Sequence, residues 1–499
     1  MAAIGSEDPG SLTRGTDEGH YRMDNYVIAE QRRQKVMLLV VCFGAFMGNM
    51  DGTIVNVSLP TIAREMNLSP SAASLIVLAY LLFETGPLMA FGKLGDLFGS
   101  RRVFLSGFML FTLSSLGCGL TSSLWMLVLF RAIQGIGGAM IFSVMLTFVA
   151  LYLPPEKRGR AMGLATMSAA LGIAVGPTVG GFITHYMGWR HIFFINVPLG
   201  LIATIIGFHV LPKLHPPARD KRFDGLGAFY QTMFLLCFVF SVNQFHEFGW
   251  HSPVIASTLG ASLLFAVLFI HRELSVAYPI LDLRLFRNRN TFLATFNFCL
   301  SMMVMGGILF LMPFYLQDIR ALEVNVIGLI MSIIALGQFM GPFAGQLGDR
   351  LGYRKVTLWG VVLGLVAFVM FVFMDFGEPL WWVIMAMTLF GVSQGLNRAP
   401  NIQLIMSSVP AELKSTAASI TSLMRSLGLT LGVVVFETTF SMFIPEKISL
   451  DAVSLHHSGV HPSVLNHGFE MALIVGLAIS IAMTVSIVSI RNSSRADSH

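Results

Sequence analysis

Apolar runs of about 20 residues follow one another from residue 36 to residue 490, and they limit what this chain can fold into. At ~1.5 Å of rise per residue, one such run crosses the hydrocarbon core of a bilayer as a helix. A membrane barrel would need alternating segments of roughly ten residues, and these are absent, so the spans are helical. Fourteen runs are counted, the first over 36–59 and the last over 468–490. Composition agrees, since 55% of residues are hydrophobic and only 12% are charged, outside the makeup of soluble domains.

The basic residues orient the spans. Of the 32 Lys and Arg, 25 fall in the tails and in the alternate connections on the same side, and only Arg64, Arg190, Arg320 and Lys447 fall opposite. Arg131, Arg398 and Arg425 lie within spans. By the positive-inside rule both termini are cytoplasmic and the number of spans is even, as expected of a multi-pass protein of the cell membrane. The same dispersal explains the pI of 9.1 without nucleic acid, which would need a basic stripe or cluster. The polar first 30 residues read as a disordered cytoplasmic tail rather than a signal peptide.

Little points to bound metal or cofactor. Cys42, Cys118, Cys237 and Cys299 stand alone in apolar runs and read as packing residues. His456, His457, His461 and His467 crowd one connection, but no Cys or close Asp completes a ligand set, so the reading is a polar loop and no metal. Gly86 to Lys93 has the wrong glycine spacing for a phosphate loop, and no HExxH helix occurs. The expectation is a protein without cofactor that is not an enzyme.

A short charged, glycine-rich stretch occurs twice. Gly92–Arg102 (GKLGDLFGSRR) returns 253 residues later as Gly345–Lys355 (GQLGDRLGYRK), each time between two spans. Gln134-Gly135 is echoed by Gln394-Gly395, and Glu156 by Glu412. The chain therefore reads as an all-α membrane protein of two six-helix bundles related by an internal repeat, with a two-helix hairpin inserted between them. The expected boundaries are a tail over 1–35, a first bundle over 36–211, inserted helices 7 and 8 with their loops over 212–290, a second bundle over 291–490 and a tail over 491–499. Parallel repeats of this kind flank a site near the bilayer midplane.

Five motifs in order carry a resemblance. They are Met50–Pro60 (MDGTIVNVSLP), the Gly92–Arg102 stretch, Arg131–Ala139 (RAIQGIGGA), Gly172–Gly181 (GIAVGPTVGG) and Trp189–Gly200 (WRHIFFINVPLG). Together they resemble the major facilitator superfamily, and within it the drug:proton antiporter branch with fourteen spans. The resemblance implies a proton-coupled secondary transporter that exports toxic or amphipathic small molecules by alternating access. It also implies a conformational latch at Gly92, Asp96, Gly99, Arg101 and Arg102, with Asp349 and Arg354 equivalent, and a role in antiport for Gly172, Gly176, Pro177, Gly180 and Gly181.

The residues support a reading of their own. Asp51 and Arg131 lie at similar depth in spans 1 and 4, where a carboxylate is costly unless paired or wetted. Such a pair either takes part in proton coupling or is a permanent structural ion pair. Arg131, Gln134, Gly135, Gly138 and Ala139 share one helical face. Pro177 removes a helix hydrogen bond within the stripe of Gly172, Gly176 and Gly180, so span 5 should bend and pack closely. Glu84 in span 2 either contacts Arg425 of span 13 at the interface between bundles or stands protonated on a backbone carbonyl. Asp51, Gln134, Arg398 and Glu437 are placed at the substrate cavity, with Glu84 joining Asp51 and Arg131 in coupling. Arg398 could meet an anionic substrate group. Expected partners are the lipid bilayer, protons and small lipophilic substrates. A periplasmic adaptor protein is conceivable but has no signal in the sequence. A metabolite exporter, a lipid flippase or a non-transporting receptor on the same scaffold are the alternatives.

Overall fold

The computed structural model describes residues 30–212, 224–249, 251–276, 285–286, 288–374, 378–409, 414–443 and 462–490. Residues 1–29 and 491–499, Glu412 and the histidines His456, His457 and His461 lie outside the described residues, as does the side chain of Glu156, and residues 31–35 of the expected tail belong to the first helix. Among the described residues there is no strand.

Among the described residues fourteen spans are present, thirteen as helices long and apolar enough to cross a membrane and one as a bent pair. Single helices form span 1 (Gln31–Met66), span 3 (Ser100–Leu120), span 4 (Leu124–Tyr152), span 5 (Pro155–Met187), span 7 (Gly225–Phe248) and span 8 (Pro253–Ser275). The same holds for span 11 (Tyr353–Val372), span 12 (Leu380–Ser407), span 13 (Lys414–Met442) and span 14 (Pro462–Val488). Span 6 is His191–Phe194 with Asn196–Val210, and span 10 is Val324–Gln338 with Gly341–Leu351. Span 9 (Arg289–Phe314) ends in a wide π-helical turn, Tyr315–Ile319. Span 2 joins Pro70–Thr85 to Leu88–Phe98 at 42°. Its break falls at Gly86-Pro87, where the proline ring and missing N–H interrupt the helix ladder. Span 5 runs unbroken through Pro177.

The two halves repeat their packing. Span 1 packs on 5, 3 on 4, 2 on 4 and 3 on 6, and the second half repeats this as 9 on 13, 11 on 12, 10 on 12 and 11 on 14. Spans 7 and 8 pair with each other, and span 7 leans on spans 13 and 2. Large apolar side chains such as Leu120, Ile205 and Leu263 are exposed, as expected of surfaces that face acyl chains.

Glycine sets the closest approaches. A Cβ on Gly172 would lie 2.3 Å from the Phe46 carbonyl, and one on Gly176 2.1 Å from Thr53 Oγ1, so span 5 rests almost on the backbone of span 1. In the second half Gly428 and Gly432 play the same part, with Cβ positions 2.4 Å from the Cys299 carbonyl and 2.0 Å from that of Met303. With no hydrophobic drive between helices in lipid, such close backbone contact supplies the dispersion that holds them together. Gly181 and Gly328 make the corresponding seam between the halves, where span 5 meets span 10.

The repeated stretch ends spans 2 and 10. Gly99 and Gly352 both take positive φ, 99° and 93°, a region that side chains with a Cβ rarely enter. Lys93, Arg101, Arg102, Arg350, Arg354 and Lys355 make the end of the bundle that carries these two stretches its basic end. At the far end the halves are joined: Arg64 pairs with Asp318 and also donates to the Gln317 carbonyl (3.2 Å), while Gln317 Nε2 donates to Thr61 (3.0 Å). At the basic end there is room beside spans 5 and 10. Gly163 and Gly345 face open space, and Met162, Met167, Phe339 and Phe343 are exposed.

Candidate functional site

Two polar centres lie on opposite sides of one tyrosine. The first is a closed node inside the first half. Asp51 of span 1 is fully buried and Arg131 of span 4 is 1% exposed, with Nη1 2.6 Å from Asp51 Oδ2. Gln134 follows Arg131 by three residues and so shares its face; its Nε2 donates to Asp51 Oδ1 (3.0 Å) and to Ser115 (2.7 Å), while its Oε1 accepts from Arg131 (2.7 Å). Asn196 Nδ2, from span 6, donates to Asp51 Oδ1 at 2.7 Å. Arg131 Nε reaches the Ile76 carbonyl of span 2 (3.2 Å), and its guanidinium lies 4.3 Å from the centre of the Tyr80 ring. Asp51 thus accepts three hydrogen bonds, from three side chains on two other spans. A buried carboxylate this well satisfied can persist in a low-dielectric interior, whereas a bare one cannot.

The second centre is a cavity between the halves, with a wall contributed by spans 1, 2, 4, 5, 9, 10, 12 and 13. Most of the wall is apolar, including Phe142, Ile173, Met302, Met305 and Leu309. Its charges are Glu84, Arg398 and Arg425. Glu84 Oε1 lies 3.4 Å from Arg425 Nη2, an ion pair joining span 2 to span 13 across the two halves. Arg398 Nη1 donates to Gln338 Oε1 at 3.4 Å.

Of the four residues expected at the cavity, Arg398 lines it. Asp51 and Gln134 instead lie behind Tyr80, whose ring faces Arg131 on one side and the cavity on the other. The reason is rotational phase: Gly48, Gly52 and Asn56 of span 1 face the cavity, and Asp51 does not share their stripe. Glu437 is fully buried at a seam nearer the far end, where Oε2 accepts from Asn243 of span 7 (2.8 Å) and Oε1 from Ser441 (2.7 Å). Asn243 in turn donates to Ser74 of span 2 (2.9 Å), so this cluster ties the inserted hairpin to both halves.

The expected latch residues make contacts within their own halves. Arg101 Nη2 donates to the Phe208 carbonyl at the end of span 6 (2.6 Å), and Arg354 Nη2 to the Val488 carbonyl at the end of span 14 (2.6 Å). These are equivalent positions, and each arginine satisfies last-turn carbonyls at the negative end of a helix. Asp349 accepts from the Tyr353 hydroxyl. Among the described residues neither Asp96 nor Asp349 makes an ion pair in this arrangement.

The sequence pattern does not single out Asn196, Gln338, or the far-end contact of Arg64 with Asp318. It also passes over Gly428 and Gly432, although each lies 256 residues after its counterpart Gly172 or Gly176, the same offset that links Glu156 to Glu412. The node itself has no charged counterpart. The positions matching Asp51 and Arg131 are Val304 and Gly391, and the second half instead buries neutral bonds such as Ser301 to Gln394 (2.9 Å) and Asn397 to Ser301 (2.9 Å). Among the described residues no group of three or more His, Cys, Asp and Glu could hold a metal.

A family model described as Major Facilitator Superfamily matches residues 41–433. The riboflavin transporter RibZ of Clostridioides difficile (strain 630) is 28% identical over 454 residues, covering 90% of this chain and 97% of that protein. The multidrug resistance protein Stp of Mycobacterium tuberculosis (strain CDC 1551 / Oshkosh) is 31% identical over 415 residues, covering 83% of this chain and 77% of that protein. A solved bacterial homolog of the human lysosomal transporter Spinster, inward-facing and unoccupied, aligns with a TM-score of 0.64 at 14% identity over 92% of this chain and 97% of that one, a likeness of fold.

Proposed function

The chain belongs to the Major Facilitator Superfamily and is a membrane transporter rather than an enzyme, and from that premise we propose that it exports amphipathic small molecules in exchange for protons. The orientation this reading uses puts the basic end in the cytoplasm, so that Arg64, Gln317 and Asp318 tie the two halves together on the outer side.

The observation that carries the reading is a set of two ion pairs, one in a sealed node behind Tyr80 and one in the cavity in front of it. Asp51 and Arg131 sit behind Tyr80; Glu84, one turn along the same face of span 2, sits in the cavity and reaches Arg425 in the other half. Protonating Glu84 removes one partner of a contact that holds the two halves together. Protonating Asp51 releases Arg131 from its carboxylate. Either event changes the free-energy difference between arrangements of the halves, which is what coupling requires. The multidrug resistance name of Stp supports a broad substrate range. RibZ, named a riboflavin transporter, supports a second reading on the same scaffold, a carrier for one metabolite.

The test is counterflow in proteoliposomes with a panel of dyes, with and without a pH gradient. Uptake accelerated by the gradient supports antiport. Substrate-induced proton release that survives Asp51→Asn and Glu84→Gln together would defeat the coupling assignment, and transport of one metabolite alone would favour the second reading.

A further inference from the structure

We infer that the central cavity is built for amphipathic monoanions, with Arg398 as the position that recognises the acidic head group. The inference rests on the proposed transport function and names its substrate class.

The charges of the cavity wall do not cancel. Its ionisable side chains are Glu84, Arg398 and Arg425, and Glu84 is paired with Arg425. The node behind Tyr80 is neutral as a unit, since Asp51 and Arg131 answer each other. One guanidinium is left over. Arg398 stays protonated in any protein environment, and among the described residues no carboxylate lies within 4 Å of it. Its hydrogen bond to the neutral Gln338 Oε1 is a long one, 3.4 Å. A cation held at membrane depth without a counter-charge is unfavourable in the empty state, and an anionic ligand relieves it.

Gln338 supplies a second and independent sign. Its Oε1 faces Arg398, and its Nε2 is buried with no hydrogen-bond partner. A buried donor left unmade costs free energy that an acceptor on a ligand would recover. Arg398 and Gln338 come from spans 12 and 10, so two convergent donors meet at one place in the cavity wall. A planar carboxylate matches the fork of an arginine better than it matches a lysine point charge. Met302, Met305, Leu309 and Phe142 then receive the apolar body, and flexible Met side chains adapt to bodies of differing shape.

The experiment compares two probes of the same shape. The purified full chain in dodecylmaltoside is titrated with 11-(dansylamino)undecanoate and with its primary amide, with the signal of empty micelles subtracted. The wild type should bind the carboxylate about tenfold or more tightly than the amide, or about 1.4 kcal/mol. Arg398→Gln should remove that preference while retaining the amide, whose binding shows that the cavity is still formed. Arg398→Lys should restore part of it.

Equal affinity for the two probes, a preference that survives Arg398→Gln, or a wild type that binds neither probe overturns the inference. Transport is measured separately in liposomes. A carboxylate preference in a protein that moves nothing would sink the transport reading and leave the site standing. Gradient-driven transport of neutral dyes without any carboxylate preference would do the reverse.

Discussion

Replacing Asp51 with Asn separates a structural ion pair from one that titrates. The variant keeps the shape of the side chain and an oxygen for Gln134 and Asn196, which donate to Oδ1 at 3.0 and 2.7 Å. It removes the charge opposite Arg131 and presents an NH₂ group where Oδ2 accepted at 2.6 Å. Breaking a buried pair from one side costs about 3–5 kcal/mol, because the remaining charge is left uncompensated. Arg131 retains Gln134 Oε1, the Ile76 carbonyl and the Tyr80 ring, so the expected loss lies near the lower bound, ~3 kcal/mol. Removing both charges, Asp51→Asn with Arg131→Met, should recover most of that loss, since neutral replacements of buried pairs are often tolerated. Stability is read from SDS-induced unfolding in mixed micelles, and coupling from substrate-induced proton release in the same preparations. If the pair titrates, the double variant regains stability but not proton release. A double variant that releases protons normally would make the pair structural only, and additive losses of stability would refute the account of the node as a charge balance.

Three further outcomes follow from the geometry. Gly176→Ala and Gly432→Ala should each lower the yield of folded protein in fluorescence-detected size exclusion, at about 1–3 kcal/mol apiece, because the new methyl meets Thr53 Oγ1 at 2.1 Å or the Met303 carbonyl at 2.0 Å; Gly163→Ala, facing open space, is the neutral control. Arg64→Ala removes a part-exposed contact worth at most ~1 kcal/mol, so spin-label distances should show the far end opening about fivefold more often, and an unchanged population would discount this contact as a gate. Asp96→Asn should slow transport severalfold while substrate affinity stays nearly constant, and lost binding would instead assign Asp96 to the cavity.

Span count, all-helical architecture and the division into repeated halves were legible in the amino-acid sequence. Each is a property of local composition or of spacing along the chain, and lipid enforces it because every backbone group must be satisfied within its own helix. Depth along a span was legible for the same reason, and depth alone brought Asp51 to the level of Arg131, and Glu84 to that of Arg425. Rotation about the helix axis was not legible. Only tertiary packing turned Asp51 and Gln134 behind Tyr80, brought Asn196 from span 6 to the same carboxylate, and set Gln338 of span 10 beside Arg398 of span 12. A shift of one residue rotates a side chain by about 100°, and the phase is fixed by glycine contacts between helices such as Gly176 on Thr53, which no single span encodes.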